Sequence, residues 1–183
     1  MSGFDRRTVL AVLAALPASA LATPAAAAGS ARDFDWFLGT WRVEHRRLRQ
    51  RFAGSRDWET FQGATTCQAL LGGVVNLNES QGRRESGAFH GMGLRAYDAK
   101  TGQWYDWYLT ASDPTNLGAP GVGRFEGKVG TFFSDEEISG IATRVRGRFT
   151  SISAGEATWE QAMSRDGGAT WETNWVMRNL RTA

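Results

Sequence analysis

Two histidines, His45 and His90, and the arginine series Arg47, Arg49 and Arg51 carry the clearest acid–base and anion-binding chemistry of this 183-residue chain. Residues i and i+2 of an extended segment share a side. Trp41, Val43, His45, Arg47, Arg49 and Arg51 therefore form one face of a strand. At about 3.3 Å per residue, Arg47 lies roughly 20 Å above Trp41. The ladder describes a pocket with an imidazole midway and guanidinium groups near the rim, suited to a carboxylate or phosphate on an otherwise apolar ligand. The alternative is a hydrogen-bonded core histidine with arginines fanning into solvent. His90 shares a face with Met92 and Leu94 and is expected to point inward with them. His45 or His90 would then be the acid–base candidate of a catalytic site, since imidazole titrates near neutrality. A metal site usually needs about three or four ligands. No HxH or HxxxH spacing occurs, so no metal is expected.

Tyr105, Trp107, Trp159 and Trp175 are candidate flat walls for an aromatic ligand, or core filler if the interior is packed shut. Gln161 shares a face with Trp159 and Met163 and is the expected neutral hydrogen-bonding group inside; Glu160 falls on the other face. Cys67 reads as a small buried filler, with no Cys-His-Asn constellation around it. Ser164-Arg-Asp-Gly-Gly-Ala-Thr-Trp171 matches the Asp-box pattern S-x-D-x-G-x-T-W. One copy does not make a propeller, so Asp166 and Trp171 are read as parts of a hairpin turn. Gly91-x-Gly93 sits in a strand without the strand–helix context of a dinucleotide site.

Residues 1–28 have the order of an export signal: Asp5-Arg6-Arg7, a short apolar run, then small residues at Ala26 and Ala28. The expected product is a periplasmic or secreted domain, with no stable membrane insertion after cleavage because the apolar run is shorter than the roughly 20 residues of a spanning helix. The remaining segment carries 19 Lys+Arg against 18 Asp+Glu. That balance argues against a nucleic-acid partner. A single cysteine excludes an intramolecular disulfide, so stability rests on packing, to which eight Trp and ten Phe contribute.

These groups need a frame, and the frame reads as strands. Residues 29–38 form a linker and a closing turn, with Asp33 as its cap and Phe34, Phe37 and Leu38 packing inward. Alternation predicts strands over 40–52, 58–71, 73–79, 87–97, 103–111, 121–127, 130–134, 140–152, 156–164 and 171–179. Asp98 to Gly102 is a hairpin loop, and 112–121 a candidate lid. Short connections and one apolar face per strand predict an all-β fold over 39–183: a single antiparallel up-and-down barrel of about ten strands.

Gly39-Thr40-Trp41 after its aromatic lead-in resembles the G-x-W signature of lipocalins and their calycin relatives. The stretches His45-Arg-Arg-Leu, Ala53 to Trp58, Leu71-Gly-Gly and Trp159 to Trp175 extend the resemblance, closest to a group of bacterial lipocalin-like proteins, over nearly the whole exported segment. It implies a Trp41 plug at a closed end, with a late basic residue packed across it: Arg178 first, Arg181 second. Haem-binding barrels of this architecture carry an axial His in a late strand. No histidine follows position 90, so haem is disfavoured and no cofactor is expected. The resemblance implies a barrel binding a small hydrophobic or aromatic ligand, including one with an anionic end oriented by His45 and Arg47. The alternatives are a cofactor-independent lyase, isomerase or cyclase, and an interaction module if the interior is solid. A cavity above roughly 300 Å³ facing His45 favours the first two.

Overall fold

The computed structural model describes residues 29–182. The export-signal reading of residues 1–28 lies outside them. Ten strands follow one another: β1 (Gly39–Leu48), β2 (Trp58–Leu70), β3 (Val75–Arg84), β4 (Gly87–Asp98), β5 (Gln103–Thr110), β6 (Gly121–Glu126), β7 (Val129–Ile138), β8 (Ile141–Ser153), β9 (Glu156–Ser164) and β10 (Glu172–Arg181). Each pairs antiparallel with its sequence neighbour, and β1 also pairs with β10, from Trp41 opposite Arg181 to Arg47 opposite Trp175. The fold is a closed, ten-stranded, up-and-down barrel.

Strand β1 is shorter than alternation predicts. Phe52 takes a positive φ of 56°, and the Arg49 N–H bonds the Asp57 carbonyl at 3.1 Å. The ladder therefore stops at Leu48. Arg49 turns outward to Glu85 and Asp57, and Arg51 reaches Met163. Neither continues the inner face above Arg47.

One end of the barrel is plugged by aromatic rings. The 3₁₀ turn Asp35–Phe37 and the residue before it drive Phe34 and Phe37 into the opening. Phe34 meets Trp104, Phe125 and Phe149 edge-on, with centroids 4.8–5.2 Å apart, an arrangement that the ring quadrupoles favour. Asp33 does not cap this turn. Its carboxylate accepts the Ser30 N–H at 2.8 Å and lies 3.3 Å from the Trp104 indole nitrogen, fastening the lead-in to β5. Gly39 starts β1 at φ 106°, a backbone geometry that side chains disfavour. The turn thereby places Trp41 under the plug, its indole N–H donating to the Phe37 carbonyl at 2.8 Å.

The basic residue across Trp41 is Arg181, not Arg178. Trp175, Met177, Asn179 and Arg181 share the inner face of β10, and strand parity puts Arg178 outside. Arg178 pairs there with Glu44 and Glu156. The Arg181 guanidinium stacks 4.1 Å from the Trp41 ring and donates to the carbonyls of Leu38 and Trp36 at 2.6 Å each. Its Nε also donates to the Ala154 carbonyl at 2.8 Å, so removing it leaves three carbonyls without their donors as well as an unstacked ring. Arg181→Ala is expected to lower stability by about 2 kcal/mol in urea denaturation. Arg178→Ala, which loses only solvated ion pairs, should leave the urea midpoint nearly unchanged.

The Asp-box segment forms the turn between β9 and β10. Ser164 Oγ donates to Asp166 at 2.7 Å, and the Thr170 N–H at 2.9 Å. These hydrogen bonds, Ser164's first, hold the Asp166 carboxyl well below its usual range. Trp171 donates to the Gly168 carbonyl at 2.9 Å and packs outside the barrel beside Arg146 and Phe133.

Candidate functional site

Above the plug, the inner faces of the strands enclose a cavity of about 160 Å³. Phe89, Tyr108 and Trp175 also border a wider vestibule of about 880 Å³ at the opposite end. The enclosed chamber is smaller than the roughly 300 Å³ typical of ligand sites, and it reaches that size only together with its mouth.

One wall is apolar. Trp159 and Trp175 meet at right angles, 5.6 Å apart, with Val43, Phe149 and Met177 completing it; Gln161 also lines the chamber. The expected inward placement of His45, Trp159, Gln161 and Trp175 holds. His45 is 4 % exposed and stacks on Phe61 at 4.4 Å. Its Nδ1 accepts the Trp175 indole N–H at 3.2 Å, which fixes the proton on Nε2. Burial pushes its pKa down to about 4, so the ring is neutral at pH 7. Nε2 faces Gly63, where a Cβ would come within 2.8 Å of it. Any larger residue at position 63 would push the imidazole aside.

The other wall is polar, and the sequence reading missed it. On β4 and β5 Met92, Leu94, Tyr105 and Trp107 face outward, while Phe89 and Trp104 share the inner face with the polar groups. His90, Tyr105 and Trp107 are therefore not in the chamber: parity puts them outside, opposite the inward Arg95, Asp106 and Tyr108. His90 meets Glu79 at 2.9 Å and borders the wider vestibule at its rim. Tyr105 and Trp107 stack on each other on the outer face, 6.1 Å apart. Alternation separates two faces without saying which is inner, and on this wall both carry large apolar rings, so apolarity does not decide.

Arg95, 5 % exposed, faces Asp106 on the neighbouring strand, with Nε 3.2 Å from Oδ1. The pair is close but not aligned as a hydrogen bond from that nitrogen. Arg95 also donates to Asn76 at 3.0 Å and lies 4.9–5.5 Å from the rings of Phe34, Phe37 and Phe149. The guanidinium thus separates plug from chamber. Burial raises the Asp106 carboxyl above its ordinary range, and the Arg95 charge opposes that rise. Asn78 donates to Thr65 and Ser80 at 3.1 and 2.9 Å, while its Oδ1 is buried without a partner. Gly93 makes this arrangement fit: a Cβ there would sit 2.4 Å from Asn78 Oδ1 and 2.9 Å from Arg95 Nη2. At Gly91 it would sit 2.1 Å from the Tyr108 hydroxyl. The Gly-x-Gly spacing is thus a recess for inner polar groups.

Cys67 is buried in the plug, its thiol pushed up to about 11 by burial; it is no nucleophile. Among the described residues no group of three or more His, Cys, Asp or Glu is placed to hold a metal ion. No described helix is long and apolar enough to cross a membrane.

No protein family and no curated protein matches the chain. Among solved structures it is similar to the redesigned β-barrel mFAP0 bound to DFHBI, at 18 % identity over 80 % of this chain and 99 % of that one, with a TM-score of 0.44. A second redesigned β-barrel aligns at 16 % identity over 83 % of this chain and 96 % of its own, with a TM-score of 0.46.

Proposed function

We propose that the protein is an exported small-molecule-binding barrel whose inner chamber takes a compact apolar or aromatic group. The observation that carries this reading is the chamber itself, a space of about 160 Å³ with an indole wall on one side and Asn78, Arg95 and Asp106 on the other. An engineered apolar cavity of about 150 Å³ accepts benzene, so the space suits one aromatic ring. Neutral His45, with Nε2–H as donor, and Gln161 are the groups that would orient a polar substituent on that ring. Export is supported by the sequence of residues 1–28, and no cofactor is needed for binding of this kind.

The catalytic alternative retains one histidine. His90 lies at the vestibule rim beside Glu79 and not in the chamber, and His45, a base with a pKa of about 4 whose Nδ1 is engaged by Trp175, is poorly matched to proton abstraction at neutral pH. Binding is the better-supported function.

Titration with a neutral single-ring probe such as phenol or p-cresol, followed by calorimetry, tests the proposal. Wild type is expected to bind it at micromolar to millimolar concentration, and Val43→Phe, which puts a ring into the chamber, is expected to abolish uptake while keeping the strand signature in circular dichroism. Absence of uptake by wild type would sink the proposal.

A further inference from the structure

The vestibule differs from the chamber in charge. Its lining includes Arg47, Arg83 and Arg84 and contains no Asp or Glu; at the rim His90 pairs with Glu79. Several arginines elsewhere on the barrel are matched, Arg49 with Glu85 and Asp57, Arg95 with Asp106, Arg178 with Glu44 and Glu156, and what sets the vestibule apart is three guanidinium side chains converging on one opening with no carboxylate in its lining. Among the described residues Arg47, Arg83 and Arg84 join no salt bridge. The one carboxylate on a register position beside Arg47 is Glu59, and its Oε1 accepts the Glu85 backbone N–H at 2.7 Å instead. Arg47 is held in place by the pocket wall: its guanidinium lies 4.7 Å from the centroid of the Trp175 ring. Arg84 rises from the inner face of β3, in line with Asn78, Ser80 and Gly82, at the same mouth.

We propose that the ligand is an amphipathic organic anion: one aromatic ring in the chamber, joined by a short linker to a carboxylate or phosphate held by Arg47 and Arg84 at the mouth. The inference rests on the binding function proposed above and adds the class of ligand. Unmatched guanidinium groups at the exit of a ring-sized chamber favour a charged end that stays in the vestibule, where it keeps part of its hydration while the ring is desolvated. Guanidinium forks suit a planar carboxylate or a phosphate alike. The stacking of Arg47 on Trp175 orients its fork before the ligand arrives, so little side-chain freedom is lost on binding.

Calorimetric titration of the whole protein with 3-phenylpropionate, phenethyl phosphate and neutral 3-phenylpropionamide tests this. The carboxylate or the phosphate is expected to bind at least about tenfold more tightly than the amide, with the advantage shrinking at high salt. The stronger of the two anions identifies the headgroup. In the Arg47→Met/Arg84→Met variant the anion should lose that advantage while the amide keeps its affinity. Equal binding of anions and amide by wild type overturns the inference and leaves the binding function standing. So does an anion advantage that survives in the variant. If neither anions nor amide bind, both fall. The wild-type comparison decides the matter even if the variant does not fold.

Discussion

Acidification from pH 7 to pH 4 is expected to remove about 3 kcal/mol of folding stability through His45 alone. The imidazole is charged below pH 6.5 in the unfolded chain but only near pH 4 in the barrel, because burial disfavours its protonated form. Between these values the unfolded state binds more protons than the native state, so stability rises with pH across the window and falls as pH drops through it. A shift of this size corresponds to about 3 kcal/mol. Carboxylates held low in the native state, Glu44 and Glu85 among them, also lose stabilising interactions in acid. The measurement is therefore a difference: urea unfolding of wild type and of His45→Leu across pH 4 to 7. The wild-type curve should fall by about 3 kcal/mol more than that of the variant. Parallel curves would mean that the imidazole is not kept neutral by its surroundings.

The second large effect concerns Asp106. Asp106→Leu leaves the Arg95 guanidinium buried among Phe34, Phe37 and Phe149 without its countercharge, and is expected to cost about 3–5 kcal/mol. Replacing both partners, Arg95→Met with Asp106→Leu, removes the charge and fills similar volume. The double variant should recover most of that loss, because a buried pair exchanged for apolar side chains is often close to neutral. Urea denaturation of the two single variants and the double variant closes the cycle. Additive losses would show that the two charges do not depend on each other. The same variants bear on binding, since Asp106 keeps 22 % of its side-chain surface open and lines the chamber.

The barrel, its strand order and the ladder of β1 were legible in the sequence because Trp41, Val43 and His45 alternate strictly with exposed neighbours. The wall made by β4 and β5 was not, and the reason is physical. Its outer face carries Met92, Leu94, Tyr105 and Trp107, while its inner face mixes Phe89, Trp104 and Tyr108 with glycines, an arginine and an aspartate. Both faces carry large rings there, so the rule that apolar side chains go inside does not choose between them and misplaces Tyr105 and Trp107. A usable signal was present. The hairpin loop from Asp98 to Gly102 sets the register, and that register places Arg95 opposite Asp106. Opposite charges at facing positions of one hairpin, on the side bearing Gly91 and Gly93, are what a buried pair with space above it looks like. The exchange of Arg178 for Arg181 has a similar source: counting in twos from Trp175 through Met177 reaches Arg181, and proximity to the strand's aromatic residues does not.

Closure of the sheet by β1 and β10 also bears on how the chain acquires its structure. Strand β1 hydrogen-bonds on one side to the strand that follows it and on the other to the last strand of the chain. The second contact spans more than a hundred residues, and bringing such distant segments together is the slow, entropically unfavourable step of β-sheet folding. A nascent chain, or one truncated before β10, has two unpaired strand edges, one on β1 and one on β9. Open edges of that kind template pairing with other chains. The C-terminal residues therefore serve as the clasp of the molecule: Arg181, the last residue of β10, binds Trp41 and the turn before it, so the final strand both completes the ring and locks the plug.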